Sequence, residues 1–192
     1  MGNAGPFINI NSFAGRDALH LACVYGELEM VKWLIHSCAL SPTIKDKYGE
    51  SPIHVAIREG YPEIVEFLVE YDGSLISSVD EKTGFFPLHE AVRWNNLEIA
   101  QLLLTHGSDV LQPTEQSIFF EGLEGLTPLH IAVQEESLEC IDELLNYLDV
   151  DSVHPGLNNT PIQIFLGYAN SWTDRHVHIM EKMLSKGKKL NT

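Results

Sequence analysis

One four-residue pattern returns along the chain at a near-constant distance, and no other feature restricts the possible folds as much. It stands as Asp17-Ala18-Leu19-His20, Ser51-Pro52-Ile53-His54, Phe86-Pro87-Leu88-His89, Thr127-Pro128-Leu129-His130 and Thr160-Pro161-Ile162-Gln163, at spacings of 34, 35, 41 and 33 residues. Units of this size cannot bury an apolar face alone, so each must stack on its neighbours. Eleven residues after the Leu or Ile of the first four blocks an apolar run begins: Met30 to Ile35, Ile64 to Val69, Ile99 to Leu104 and Cys140 to Leu145. Each unit therefore predicts a turn, a short helix, a loop and a second helix. Ser51 and Thr127 are placed to cap first helices that hold Pro52 and Pro128 in their first turn, where a missing N–H costs nothing. Tyr71-Asp72-Gly73 and His106-Gly107-Ser108 are expected to stop second helices through a left-handed glycine. Ala22, Ala56, Ala91 and Ala132 recur at one position, as close helix approach requires. In the fifth unit Phe165 takes that place and Gln163 replaces the histidine, so this unit is expected to pack differently, as a C-terminal cap.

The Thr-Pro-Leu-His block, in period with a Gly-x-x-Glu-Ile-Val-x-x-Leu-Leu-like run, resembles the ankyrin repeat from about Phe7 to Leu190. The resemblance implies an all-α fold, an ankyrin-repeat solenoid of helix-turn-helix units with β-hairpin-like fingers. It implies one domain over 7–190, with repeats at about 11–44, 45–78, 79–111, 122–153 and 154–190 and a finger insertion at 112–121. The implied function is a non-catalytic protein–protein interaction module, an adaptor, scaffold or inhibitor that binds a partner protein or peptide through its concave groove and fingers. An inhibitor of a Rel-type transcription factor, the substrate-receptor part of a ubiquitin ligase, and a bacterial or viral effector are the alternatives. The family's exposed positions, carried onto this sequence, fall on Phe13, Arg16, Lys47, Tyr48, Lys82, Phe85 and Glu124 in the fingers. In the first helices they fall on Tyr25, Arg58, Arg93, Trp94, Gln134 and Glu135. Arg, Tyr and Trp are the residue types that dominate interface energetics. Phe119 and Phe120 join them, because three adjacent apolar residues, Ile118 to Phe120, stand in the lengthened finger and need cover from the solenoid or from a partner.

Charge narrows the partner. The net charge is −15, with 27 acidic and 12 basic side chains, which opposes nucleic acid, since phosphate binding needs Lys and Arg. Residues 94–174 hold 13 carboxylates and no Lys or Arg, whereas residues 175–192 hold five basic side chains and one acidic. A partner basic toward the fourth unit, and acidic or aromatic toward the arginines of the first three, is the expectation. No membrane-length apolar run or secretion signal is present, and three cysteines without Cys-x-x-Cys spacing suit a reducing compartment, cytoplasm or nucleus. The chain is expected to be monomeric on its own and to use no cofactor. No phosphate loop, nucleophile elbow or zinc helix occurs, so no catalytic residue is assigned. His20, His54, His89 and His130 read as scaffold, Cys23 as a small buried hydrophobe. His176-x-His178 lacks further ligands that would complete a metal site.

Overall fold

The computed structural model describes residues 15–117, 125–148, 162, 166 and 173–187. Among them are nine α-helices and no β-strand: α1 Ala18–Val24, α2 Leu28–His36, α3 Pro52–Glu59, α4 Pro62–Tyr71, α5 Pro87–Arg93, α6 Leu97–Thr105, α7 Pro128–Gln134, α8 Leu138–Tyr147 and α9 Asp174–Gly187. The odd-numbered helices α1 to α7 form an inner row, each packed on the next, and α2, α4, α6, α8 and α9 form an outer row in the same way. An all-α ankyrin solenoid is thus what the period builds. Its core is a continuous apolar seam between the rows, in which Leu19, Ile53, Leu88 and Leu129 from the repeated block meet Val31, Val65, Ala100 and Ile141 from the outer helices. The four alanines of the repeated position are all buried, Ala56, Ala91 and Ala132 completely.

In the first and third units the repeated histidine ties one unit to the next. His20 Nδ1 lies 2.8 Å from Asp17 Oδ1 and Nε2 lies 3.0 Å from the Glu50 carbonyl one repeat on. His89 accepts from the Phe86 N–H at 3.3 Å and places Nε2 3.0 Å from the Leu126 carbonyl. The expected caps involve this ring: Ser51 Oγ meets His54 Nδ1 at 2.8 Å and Thr127 Oγ1 meets His130 Nδ1 at 2.7 Å, the latter within a capping box. In the fifth unit the same device moves to the outer helix, where Thr173 Oγ1 lies 2.6 Å from His176 Nδ1 at the start of α9.

A left-handed residue joins the two helices of each of the first four units, at Gly26, Gly60, Asn95 (φ 50°) and Glu136 (φ 54°). Gly107 stops α6 with φ 93°, as expected. Gly73 does not act this way. Helix α4 instead ends at an extended Asp72, whose Oδ1 accepts from the Ser74 N–H at 3.0 Å and opens a 3-10 turn over Gly73–Ser77.

The fingers are narrow hairpins closed by Asp80 pairing with Phe85 and, in the long finger, by Thr114 N–H to the Leu126 carbonyl at 2.8 Å. Successive fingers also touch, as in the Glu115 N–H to Gly84 carbonyl bond of 2.9 Å. In sequence, the extra residues of the lengthened finger fall between Thr114 and Leu126. Phe119, Phe120 and Glu124, like Phe13 and Phe165, lie outside the described residues.

Candidate protein-binding groove

The inner helices and fingers line one face, and the repeat stacks chemically different residues there in columns. One column, the residue just before each capping block, runs Arg16, Glu50, Phe85, Leu126. Another runs Val24, Arg58, Arg93, Gln134, and a third Tyr25, Glu59, Trp94, Glu135.

The arginines in these columns are held by carboxylates of their own or the next unit. Arg16 places Nη2 2.7 Å from Glu50 Oε2 and Nε 3.3 Å from Asp46 Oδ2. Arg58 binds the other oxygen of Glu50 and reaches Glu59 at 3.4 Å. Glu50 thus bridges two guanidiniums, and because it is buried, losing them would strand a desolvated charge. Arg93 stands 5.6 Å from the ring centroids of both Phe85 and Trp94, a cation over two aromatic faces, with Glu135 at 3.8 Å. In the second finger Tyr48 takes Lys47 and Lys82 over its ring at 5.0 and 5.8 Å. Gln134 is half-buried and Glu135 exposed.

Phe85 is a correction to the sequence reading. The finger position was expected to face a partner, but Phe85 is 3 % exposed, pinned by its bridge to Asp80 and packed 5.7 Å from the His89 ring. In the third and fourth units this column is apolar and turns into the core, and Leu126 is buried as well. What remains outward is Tyr25 at 72 % exposure, Trp94 at 51 % and Tyr48 at 39 %.

Glu90 is the residue that spacing did not single out. It takes the inner-helix place of Leu21, Val55 and Ile131 and is buried, and its Oε2 accepts from Trp94 Nε1 at 3.0 Å. Burial raises its pKa, with Arg93 and the Trp94 bond acting in the opposite direction. The interruption of an otherwise apolar column was the available signal.

Among the described residues no group of His, Cys, Asp and Glu could hold a metal ion. His176 is buried against Thr173 while His178 is exposed, so the His-x-His pair does not converge. Cys23 and Cys140 are buried, and burial pushes both thiols up to about 12, which leaves them unreactive near neutral pH. No helix among the described residues is long and apolar enough to cross a membrane.

Comparison with known proteins decides the family. A model described as ankyrin repeats (3 copies) matches residues 3–80 and 19–114, and one described as ankyrin repeats (many copies) matches residues 88–145. The chain is an ankyrin-repeat protein. The ankyrin repeat is a protein–protein interaction module, and this chain carries it over most of its length. Related segments occur in proteins of differing roles. The chain is 36% identical to the mouse mitochondrial liver isoform of glutaminase over 66 residues, 34% of this chain and 11% of that protein. It is 39% identical to human protein phosphatase 1 regulatory subunit 27 over 56 residues, 29% of this chain and 36% of that one. It is 36% identical to human SMC5-SMC6 complex localization factor protein 1 over 72 residues, 38% of this chain and 7% of the other. The matches thus span well under two thirds of each relative and reach this ankyrin array by its repeats.

Proposed function

We propose that this chain acts stoichiometrically, as an adaptor or inhibitor that holds a segment of a partner protein along the concave face of the first four repeats. The observation that carries this reading is the pair Tyr25 and Trp94, large aromatics left 72 % and 51 % exposed in one column of the groove. Aromatic side chains in that setting supply large, low-entropy contact area. Tyr48 with Lys47 and Lys82, and Arg93 stacked beside Trp94, extend the same surface.

Charge shapes the partner differently from what the sequence suggested. Arg16, Arg58 and Arg93 share the groove with Asp46, Glu50, Glu59, Glu90 and Glu135, so three guanidiniums face five carboxyl groups. The arginines are occupied internally, which leaves little to attract an acidic segment. A partner segment that offers apolar or aromatic side chains to Tyr25 and Trp94, and Lys or Arg toward Glu135, Glu136 and the cation-free stretch beyond, fits this surface along its length. Of the alternatives named from the resemblance, an inhibitor that masks a basic segment is the one this charge favours. A regulatory-subunit role is what the name of one relative, the phosphatase regulatory subunit, states for that protein.

Site-specific photo-crosslinking tests the reading. A crosslinking amino acid at Tyr25 or Trp94 should capture the partner, whereas one at Glu66, exposed on α4 of the outer row, should not. Trp94→Ala should weaken binding at least about tenfold without a matching loss of melting temperature. Capture from Glu66 alone, or unchanged affinity in Trp94→Ala, refutes the groove.

A further inference from the structure

Tyr25, Glu59, Trp94 and Glu135 stand six residues after Leu19, Ile53, Leu88 and Leu129, so they are one place repeated at the ends of α1, α3, α5 and α7. Down that column an aromatic alternates with a carboxylate. Packing in the core does not require the alternation, because Tyr25 and Trp94 are more than half exposed and the side chains of Glu59 and Glu135 are exposed by 37 % and 48 %. Nor are these two carboxylates firmly held. Arg58 Nε reaches Glu59 at 3.4 Å and Arg93 Nε reaches Glu135 at 3.8 Å, long and partly exposed pairs that contribute little and exchange readily for another cation.

The pitch of the column selects the shape of what it meets. The helices α1, α3, α5 and α7 pack each on the next, and packed helices lie roughly 8–10 Å apart. An α-helix rises about 1.5 Å per residue, so about seven residues advance it by one such step and bring it through nearly two turns, back to the same face. A helix laid along the groove therefore offers each repeat one residue of a single face. An extended or polyproline-type segment covers the step in about three residues, but neither satisfies its own main chain. Pairing an extended main chain takes a strand edge, and among the described residues there is no β-strand. Side-chain donors of the groove are turned to its own carboxylates, Arg16 and Arg58 to Glu50 and Trp94 Nε1 to Glu90. A helix brings its backbone already bonded.

Resting on the groove reading above, we infer that the occupant is an α-helix of the partner protein that lies along the inner row, with apolar and basic side chains alternating at seven-residue steps on one face. An apolar or aromatic side chain meets Tyr25, a Lys or Arg meets Glu59, a second apolar side chain meets Trp94, and a second cation meets Glu135. The helix can run in either direction. In both, the cation between the two apolar residues is the one on Glu59, and complementary charge at every second step fixes the register.

A phage-displayed library of random peptides of about 28 residues, long enough as a helix to pass four repeats, tests this on the full chain. Clones are selected on the wild type and cleared of those that still bind Trp94→Ala. The remaining clones should carry apolar residues about fourteen positions apart, with Lys or Arg midway between them and again seven positions beyond one of them. In a synthetic copy of an enriched clone, Pro at a central position off the binding face should weaken binding at least about tenfold where Ala does not. Glu59→Lys should weaken the same peptide at least about tenfold, and changing the peptide's middle cation to Glu should restore binding to Glu59→Lys. Thermal melting checks that this variant folds; if it does not, Glu135→Lys with the outer cation takes its place. Trp94-dependent clones that tolerate Pro, or that repeat at two or three residues, overturn the helix and leave the groove standing. A failed charge exchange overturns the register in the same way. A library that yields no Trp94-dependent clone overturns both the helix and the groove.

Discussion

Lowering the pH from 7 to 5 should weaken the array chiefly through two rings. His54 and His89 are buried between repeats, and burial pushes both down from 6.5 to about 4. An unfolded chain, with its histidines near 6.5, binds protons before the folded one does. The stability that these neutral rings contribute is therefore complete above about pH 6.5 and is lost as the pH falls toward 4. At pH 5 the unfolded ring is protonated and the folded one still mostly neutral, a gap of about 1.5 pH units at roughly 1.4 kcal/mol each, or about 2 kcal/mol per ring. Two rings give about 4 kcal/mol, a large share of the 5–15 kcal/mol that holds a typical domain. Asp80 and Glu90 act with the opposite sign, because burial raises their pKa values and their folded forms are favoured by added protons. A variant comparison separates the two effects. His89→Gln removes one titration and keeps an amide N–H for the Leu126 carbonyl that His89 now meets at 3.0 Å. Urea unfolding followed by far-ultraviolet circular dichroism at both pH values should show a wild-type loss that shrinks by about 2 kcal/mol in the variant. Equal losses in variant and wild type would refute the reasoning, as would a wild-type loss below about 1 kcal/mol.

Three further changes test the backbone and the groove. Glu136 holds a left-handed conformation, φ 54°, at the position that Gly26 and Gly60 fill in the first two repeats, so Glu136→Gly should stabilise the chain by about 1 kcal/mol in denaturant melts. Gly84 has φ 76°, and a Cβ there would lie 2.0 Å from the Glu115 carbonyl oxygen, so Gly84→Ala should cost well over 1 kcal/mol by the same measurement and loosen the long finger to proteolysis. Glu90→Gln keeps an acceptor for Trp94 and removes a buried charge. Its stability gain should be larger at pH 8 than at pH 5, because the wild-type carboxyl, raised by burial, is already taking up its proton as the pH falls.

Most of the fold is legible in the period, because in a stacked array the same residue at the same place in each unit must meet the same neighbour. The buried alanines and the outer-helix rows follow from that alone, and so does the histidine that bonds across to the next finger. The misses come from places where one unit departs from the column it belongs to. Phe85 is a finger residue by position, yet its column changes from Arg16 and Glu50 to Phe85 and Leu126, and the apolar members turn inward. Gly73 follows a helix as Gly107 does, but Asp72 ends α4 through its own side chain before a left-handed residue is needed. The lengthened finger is visible as a spacing of 41, while the hydrogen bonds between Thr114 and Leu126 that close its base required the structure.

The candidate site was legible in its positions and not in its charge, and the reason is again the column. Residues about one period apart in sequence are adjacent in space, so Arg16 and Glu50, 34 residues apart, are neighbours rather than independent surface charges. A sequence reading that sums charges segment by segment counts Arg16, Arg58 and Arg93 as a basic patch. Read down the columns instead, each meets a carboxylate: Glu50 between the first two, Glu135 beside the third. Guanidiniums held in this way are poor hooks for an acidic ligand, since a new partner must compete with a carboxylate that is already desolvated and in place. Their aliphatic stems and planar faces stay useful, and Arg93 lying against Trp94 shows how: the cation fixes the orientation of an aromatic that is itself half exposed. On the proposed reading, selectivity for a partner therefore rests on the aromatics of the groove. The carboxylates of residues 94–174 in excess of those paired with Arg93, Arg175 and Lys182 govern how fast a basic segment arrives and how strongly salt slows it.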